Sequence, residues 1–196
     1  KLQVIVTGAL GFVGKRLIPA MVDAGYLPII IDNLAKDRAS KIIKGWNLKS
    51  GEDFVFLNED IRNTSKLERE LKKYKPVACV HLAAIHFIPY CDKHRLETVS
   101  VNVNGTQSIL ELSKQIGVKK FIFMSSAAVY KPSNRPHSET DEVEPVDIYG
   151  ASKQSAEYLV KFYSVVSDFQ ATIIRLFNVY GPGDQNPHFI PSLLKQ

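Results

Sequence analysis

Short apolar runs rich in β-branched residues recur along the chain, and stretches of helical spacing separate them. VIVTG at 4–8, PIIID at 28–32, FVFL at 54–57, VACVH at 77–81, FIFMS at 121–125 and ATIIRLF at 171–177 read as six strands. After the first run, Val13, Leu17, Ile18, Met21 and Val22 recur on one helix face. Further helical patterns cover 64–73, 92–116 and 147–166. Nearly continuous apolar strands alternating with helices predict a parallel sheet covered on both sides, an α/β, doubly wound, Rossmann-type domain. There is no internal repeat and no low-complexity tract.

The polar, proline-punctuated stretch 131–147 reads as a surface loop. It is a connector by default; a lid over a ligand is the alternative. After the sixth run, HFIPSLLKQ at 188–196 begins another helical pattern. The expected division is a nucleotide-binding domain over 1–180 and, over 181–196, the start of a substrate lobe that is largely absent.

Composition narrows the class without changing the fold. The 196 residues are 45% hydrophobic and 23% charged, ordinary for a soluble globular chain. No apolar run approaches the ~20 residues that cross a bilayer. The opening KLQVIVTG carries no signal-peptide pattern, so a cytoplasmic protein is expected. It lacks a starting Met, so Lys1 is not expected to be the translated start. The formal charge of +5 raises the question of nucleic acid. Lys and Arg are scattered, however, and the one dense stretch, KDRASKIIK at 36–44, reads as a solvated helix face. Neither a nucleic-acid nor a membrane partner is expected, while a mildly basic cleft suits a diphosphate. Cys79 and Cys91 read as reduced structural residues. Cys91-x-x-His94 lacks a second ligand pair, and His86 does not supply one, so no metal is expected.

Gly8, Gly11 and Gly14 join the first strand to the first helix at G-x-x-G-x-x-G spacing. Glycines there permit a tight turn and close approach of backbone to a pyrophosphate, and the helix N-terminus presents free N–H groups to the anion. Asp32 closes the second strand, where a carboxylate accepts both hydroxyls of an adenosine ribose and repels a 2′-phosphate. NAD is therefore favoured over NADP, with Lys36 and Arg38 pulling the other way. Asp60 follows the third strand, either facing an adenine edge or serving as a helix N-terminal acid.

Tyr149 and Lys153 lie four apart on the last long helix and share a face. A nearby ammonium is expected to lower the phenol pKa, so that the pair can take a proton from an alcohol as hydride leaves the same carbon. Lys153 can also hold a nicotinamide ribose. Ser125 and Ser126 end the fifth strand, at the carboxyl edge where open α/β sheets bind ligands. A hydroxyl there can donate to a substrate oxygen or to Tyr149. Each motif alone is weak; their order along the chain gathers them round one crevice.

In sequence, TGALGFVG, DNL at 32–34, NEDIRN, VHLAA at 80–84, VNVNGT at 101–106, SSAAVY, YGASK and RLFNVYGPG at 175–183 resemble the extended short-chain dehydrogenase/reductase family, in its sugar-nucleotide epimerase/dehydratase branch. The resemblance covers essentially the whole chain. It implies that Gly8, Gly11, Phe12, Val13 and Gly14 hold the pyrophosphate of NAD. Asp32 and Asn33 would take the adenosine ribose, and Asp60 with Ile61 the adenine. Leu82, Ala83 and Ala84 would line the dinucleotide, with Asn102 close by and Phe177 bordering the nicotinamide. Ser126, Tyr149 and Lys153 would be the catalytic trio, Asn178 would face the sugar nucleotide's diphosphate, and His86 lies where substrate-side residues vary. Dehydratases and decarboxylases of the branch carry an acid just before the Val-Tyr pair. Here Ala127 and Ala128 precede Val129-Tyr130, which argues against both. UDP-galactose 4-epimerases often carry Thr at the place of Ala128, and Lys131 replaces a usual Gly. The expected activity is an NAD-dependent epimerase of a nucleotide-linked sugar, working through a transient keto intermediate. A net ketosugar or carbonyl reductase, and a non-catalytic NAD-sensing protein, are the alternatives. The resemblance further implies a homodimer through helices such as 92–116 and 147–166.

Overall fold

The computed structural model describes residues 1–34, 36–182 and 192–193. The strands are β1 (Leu2–Thr7), β2 (Tyr26–Asp32), β3 (Val55–Asn58), β4 (Ala78–His81), β5 (Lys120–Ser126) and β6 (Gln170–Leu176). They form one sheet in the order β3-β2-β1-β4-β5-β6, with every adjacent pair parallel. This is the doubly wound order, and the chain reverses its direction of progress between β1 and β4. Open sheets of this kind bind ligands at that reversal, beyond the carboxyl ends of the strands.

Each face of the sheet has its own core, because alternate strand residues point to opposite sides. On one side Val4, Val6, Ile30 and Phe54 pack with Ile18 of α1 (Gly14–Asp23) and Ile43 of α2 (Lys36–Lys44). On the other, Ile5, Ile29, Ile31, Phe121 and Phe123 pack with Leu67 of α3 (Thr64–Leu71) and with residues of two later helices. A fully buried Ile or Phe contributes about 1.5–3 kcal/mol, so the two layers fix the strand register that places the site.

The helical pattern over 92–116 is not one helix. It folds as α4 (Ile88–Lys93), α5 (Arg95–Val99), a π-helical turn over Ser100–Gly105 and α6 (Thr106–Gln115). Pro89 in the first turn sets the start earlier than the periodicity suggests, and His94, at φ −121° and ψ 52°, breaks the run. The wider turn carries Asn102 inward, where its side chain bonds a strand-end loop. Phe54, expected to open the third strand, is buried just before β3 and pairs with Ser50 instead. The last long helix is α7 (Ile148–Val166), which packs on α4, α5, α6, β5 and β6. Residues 183–191 and 194–196, and with them most of the expected second lobe, lie outside the described residues. No described helix is long and apolar enough to cross a membrane.

Candidate active site

The turn from β1 into α1 is built around close approaches that only glycine permits. Gly8 has φ +66°, and a Cβ there would lie 2.7 Å from the backbone of Ala83. Gly14 sits so near β1 that a Cβ would be 2.2 Å from the Ala9 carbonyl oxygen. Gly11 donates to the Gly8 carbonyl at 3.1 Å, closing the turn. Phe12 and Val13 complete the bend and are half-buried. The N-terminus of α1 thus opens at the sheet's reversal point, where its free N–H groups and dipole favour an anion.

Asp32 ends β2 beside this turn. Its two carboxylate oxygens accept N–H groups of Leu10 at 3.0 Å and Leu34 at 2.9 Å, which locks the acid to the glycine turn. Burial pushes its pKa up, and the two backbone hydrogen bonds only partly oppose this. Asn33 reaches Asp60 at 3.1 Å. Asp60 is clasped by Arg62 through both oxygens, at 2.9 and 2.7 Å, and the guanidinium holds its pKa down at about 2. Ile61 turns into the core beneath Gly105, where a Cβ would strike its Cδ1. Asp32, Asn33 and Asp60 thus cluster at the ends of β2 and β3, with Ile61 buried beneath them.

Tyr149 and Ser126 are brought together by helix packing. Asp147 caps α7 by accepting the Gly150 N–H at 2.7 Å. Gly150 presses on the 3₁₀ turn Ala127–Val129 so closely that a Cβ would be 2.2 Å from the Ala128 carbonyl oxygen. Ser126 caps that turn, accepting the Ala128 N–H at 3.1 Å, and its hydroxyl lies near enough to the Tyr149 phenol to pull the phenol's pKa down in part. Lys153, one turn along α7, is buried and sets its ammonium 4.3 Å from the centre of the Phe123 ring.

The electrostatics differ from the simple expectation for a Tyr/Lys pair. Burial pushes the Tyr149 phenol above its ordinary pKa, and the Ser126 hydroxyl pulls it back only in part. Burial also takes Lys153 down to about 7, against the charge of Glu157. Removing two ionisable groups from water costs more than their proximity returns.

A chain of hydrogen bonds ties the glycine turn to α7. Ala83 N–H donates to Thr7 Oγ1 at 3.2 Å, and Thr7 pairs with His81 Nδ1 at 2.6 Å. His81 Nε2 meets Thr106 Oγ1 at 3.0 Å, and Thr106 donates to the Asn102 carbonyl at 2.6 Å. Because Thr106 donates onward, His81 carries a proton on Nε2, and in the neutral ring Nδ1 accepts from Thr7. Burial first, and Lys153 second, hold its pKa down at about 3. Asn102 clamps the backbone of Ile85 at 2.8 and 2.9 Å and donates to Ser152, which donates to the Tyr149 carbonyl.

The family described as "NAD dependent epimerase/dehydratase family" matches residues 4–196. The chain belongs to this family. Among curated relatives, a UDP-glucuronate 4-epimerase of Thermodesulfobacterium geofontis is 33% identical, over 91% of this chain and 56% of its own length. Human UDP-glucose 4-epimerase is 30% identical over 91% and 54% respectively. Among solved structures, UDP-glucuronic acid 4-epimerase of Bacillus cereus, in complex with UDP-glucuronic acid and NAD, superposes with a TM-score of 0.87. It is 30% identical and covers 99% of this chain and 63% of that one. The chain thus spans little more than half the length of the curated relatives it matches.

Within this family member, Leu82, Ala83 and Ala84 follow β4 directly across from the glycine turn, and Leu82 N–H donates to the Thr7 carbonyl at 3.1 Å. Phe177 and Asn178 follow β6 and are exposed; His86 is exposed in the loop before α4. Phe177, Ala127, Ala128, Tyr130 and residues at both ends of the 131–147 loop line an open cavity of about 410 Å³ that starts one residue past Ser126, although Ser126, Tyr149 and Lys153 do not line it. Cys91 is buried with its thiol toward the Ile85 carbonyl, and His94 stacks on Tyr90. Reasoning from sequence missed His81, Glu157 and Arg175. The available signal was a charge on a buried helix face: Glu157 lies one turn past Lys153 on the stripe that carries Tyr149.

Proposed function

We propose that the whole natural protein is an NAD-dependent 4-epimerase of a UDP-linked hexose or hexuronate, working through a transient 4-keto sugar. The observation that supports this reading is Tyr149 set near Ser126 at the carboxyl end of β5, with Lys153 one turn further along the same helix. It is supported by the 4-epimerase relatives and by Ala127 and Ala128 at the positions where an acid would serve elimination.

The residues present fit NAD. Gly8 and Gly14 pack so tightly on the backbone of Ala83 and Ala9 that the turn delivers the N-terminus of α1 to the carboxyl end of the sheet, where it would meet a pyrophosphate. Asp32 ends β2 beside the glycine turn with its carboxylate oriented by two backbone N–H groups, and there it would take the adenosine ribose. Bound NAD supplies hydride transfer. Tyr149 would take the proton of the sugar 4-hydroxyl and give it back to the same oxygen once hydride has returned to the opposite face of the turned keto sugar, Ser126 would orient that oxygen, and Lys153 would hold the nicotinamide ribose.

We also propose a homodimer. Leu96 on α5 and Tyr158, Phe162 and Val165 on α7 are exposed apolar side chains on two packed helices, the elements the resemblance assigns to self-association. Phe162→Glu is expected to yield monomers by light scattering, whereas an already monomeric parent protein would refute the dimer.

To test the activity, the whole protein is incubated with UDP-glucose, UDP-galactose and UDP-glucuronate and followed by proton NMR. Formation of a 4-epimer supports the proposal; no epimer from any of them overturns it.

A further inference from the structure

Behind the catalytic helix lies a buried cluster that the proposed reaction does not use. Glu157 on α7 is 2% exposed. Its Oε1 accepts Ser125 Oγ at 2.6 Å and Arg175 Nε at 2.9 Å, and its Oε2 accepts Arg175 Nη2 at 2.7 Å. Arg175, on β6, also donates to the Glu139 carbonyl at 3.2 Å and stacks 4.8 Å from the centre of the Tyr130 ring. One carboxylate therefore joins α7, the end of β5 and β6, and through Arg175 the loop that borders the cavity. Breaking a buried pair of this kind leaves an uncompensated charge, and a purely structural position would serve as well with apolar groups.

We propose that Glu157 is a positioning residue: clamped by Arg175 and Ser125, it favours the charged form of the buried Lys153 amine on the same helix face and fixes Ser125, at the end of β5, against α7. The proposal rests on the reading of Lys153 as part of the working site. Around Lys153 the charged and titratable groups are Tyr149 and Glu157 on α7, His81 on β4, Arg175 on β6 behind Glu157, and the Cys91 thiol on α4 near Tyr149. His81 is neutral, Phe123 is an aromatic face, and Arg175 is itself a cation. Glu157 is the nearby anion on the same helix face, and it raises the affinity of Lys153 for its proton while burial lowers it. Burial pushes the Glu157 carboxyl up, yet the bonds from Arg175 and Ser125 outweigh this and keep it ionised.

The test is a pH titration of Lys153 by NMR in the whole protein, labelled with carbon-13 at lysine Cε and assigned against Lys153→Arg. The expected midpoint is about 7 in the parent. Glu157→Gln is expected to lower it by roughly half a unit or more, and Arg175→Gln, which removes the bonds that keep Glu157 ionised, to lower it as well, whereas an Arg175 acting only as a neighbouring cation would raise it on removal. Where the sugar nucleotide turns over, Glu157→Gln also moves the alkaline limb of kcat to lower pH with KM within about twofold. Midpoints unmoved in both variants would overturn the proposal, as would a shift of either in the opposite direction. If Glu157→Gln does not fold, Arg175→Gln alone decides by the sign of its shift. The lysine titration needs no turnover, so it stands even if no sugar nucleotide is epimerised.

Discussion

A phenol in an apolar pocket resists ionisation, and Tyr149 is such a phenol. The structure answers with a hydroxyl rather than with a close ammonium: Ser126, near the phenol, pulls its pKa part of the way back, while Lys153 lies over the Phe123 ring. Tyr149→Phe is expected to lower kcat by roughly 10²–10⁴-fold while NAD affinity, measured by calorimetry, stays within a few-fold. Loss of cofactor binding in that variant would instead make the phenol a structural group. At the other end of the crevice, Asp32→Ala should weaken NAD by about tenfold and narrow the preference over NADP, read by the same titration. Both residues were legible from motif spacing. The sign of the Tyr149 shift was not, because burial of the pair depends on Phe123 and α4 packing against it, which no local pattern reports.

At the scale of elements, the six strands follow their apolar runs to within a residue or two, since strands buried on both faces leave an unambiguous pattern. The stretch 92–116 shows where periodicity fails. An apolar stripe reads through short interruptions, and neither the break at His94 nor the π turn alters it enough to be seen. The interruption has a use: it turns Asn102 toward Ile85 and Ser152, and so ties α7 to the loop after β4. The glycine turn makes the sharper prediction. Gly14→Ala places a methyl against the Ala9 carbonyl, so α1 must move away from β1. Thermal unfolding should shift downward by several degrees and NAD binding should fall at least tenfold. An unchanged melting temperature would show that α1 has slack the structure does not display.

Across the whole molecule, the buried His81 makes stability depend on pH. Its pKa is about 3 in the folded chain against 6.5 for the free side chain. The unfolded chain therefore takes up a proton below about pH 6.5 that the folded chain refuses. The contribution of His81 is intact above that value and is lost as pH falls toward 3, at up to about 1.4 kcal/mol per unit. Lys153 is charged in both states below about pH 6 and adds no slope there. Urea denaturation at steps between pH 6.5 and 5 should show this decline, before ordinary carboxylates begin to titrate. A flat profile would mean that His81 gains a proton in place and that the Thr7–His81–Thr106 chain tolerates it.

The central claim is that hydride leaves and returns to one sugar carbon inside a closed crevice, with Tyr149 handling only the hydroxyl proton. It is tested most directly by epimerising UDP-glucose with the whole protein in heavy water and inspecting carbon 4 of the product by NMR and mass spectrometry. The account predicts UDP-galactose that retains its original hydrogen at carbon 4. Deuterium at that carbon, or no epimer while NAD is bound, would contradict it.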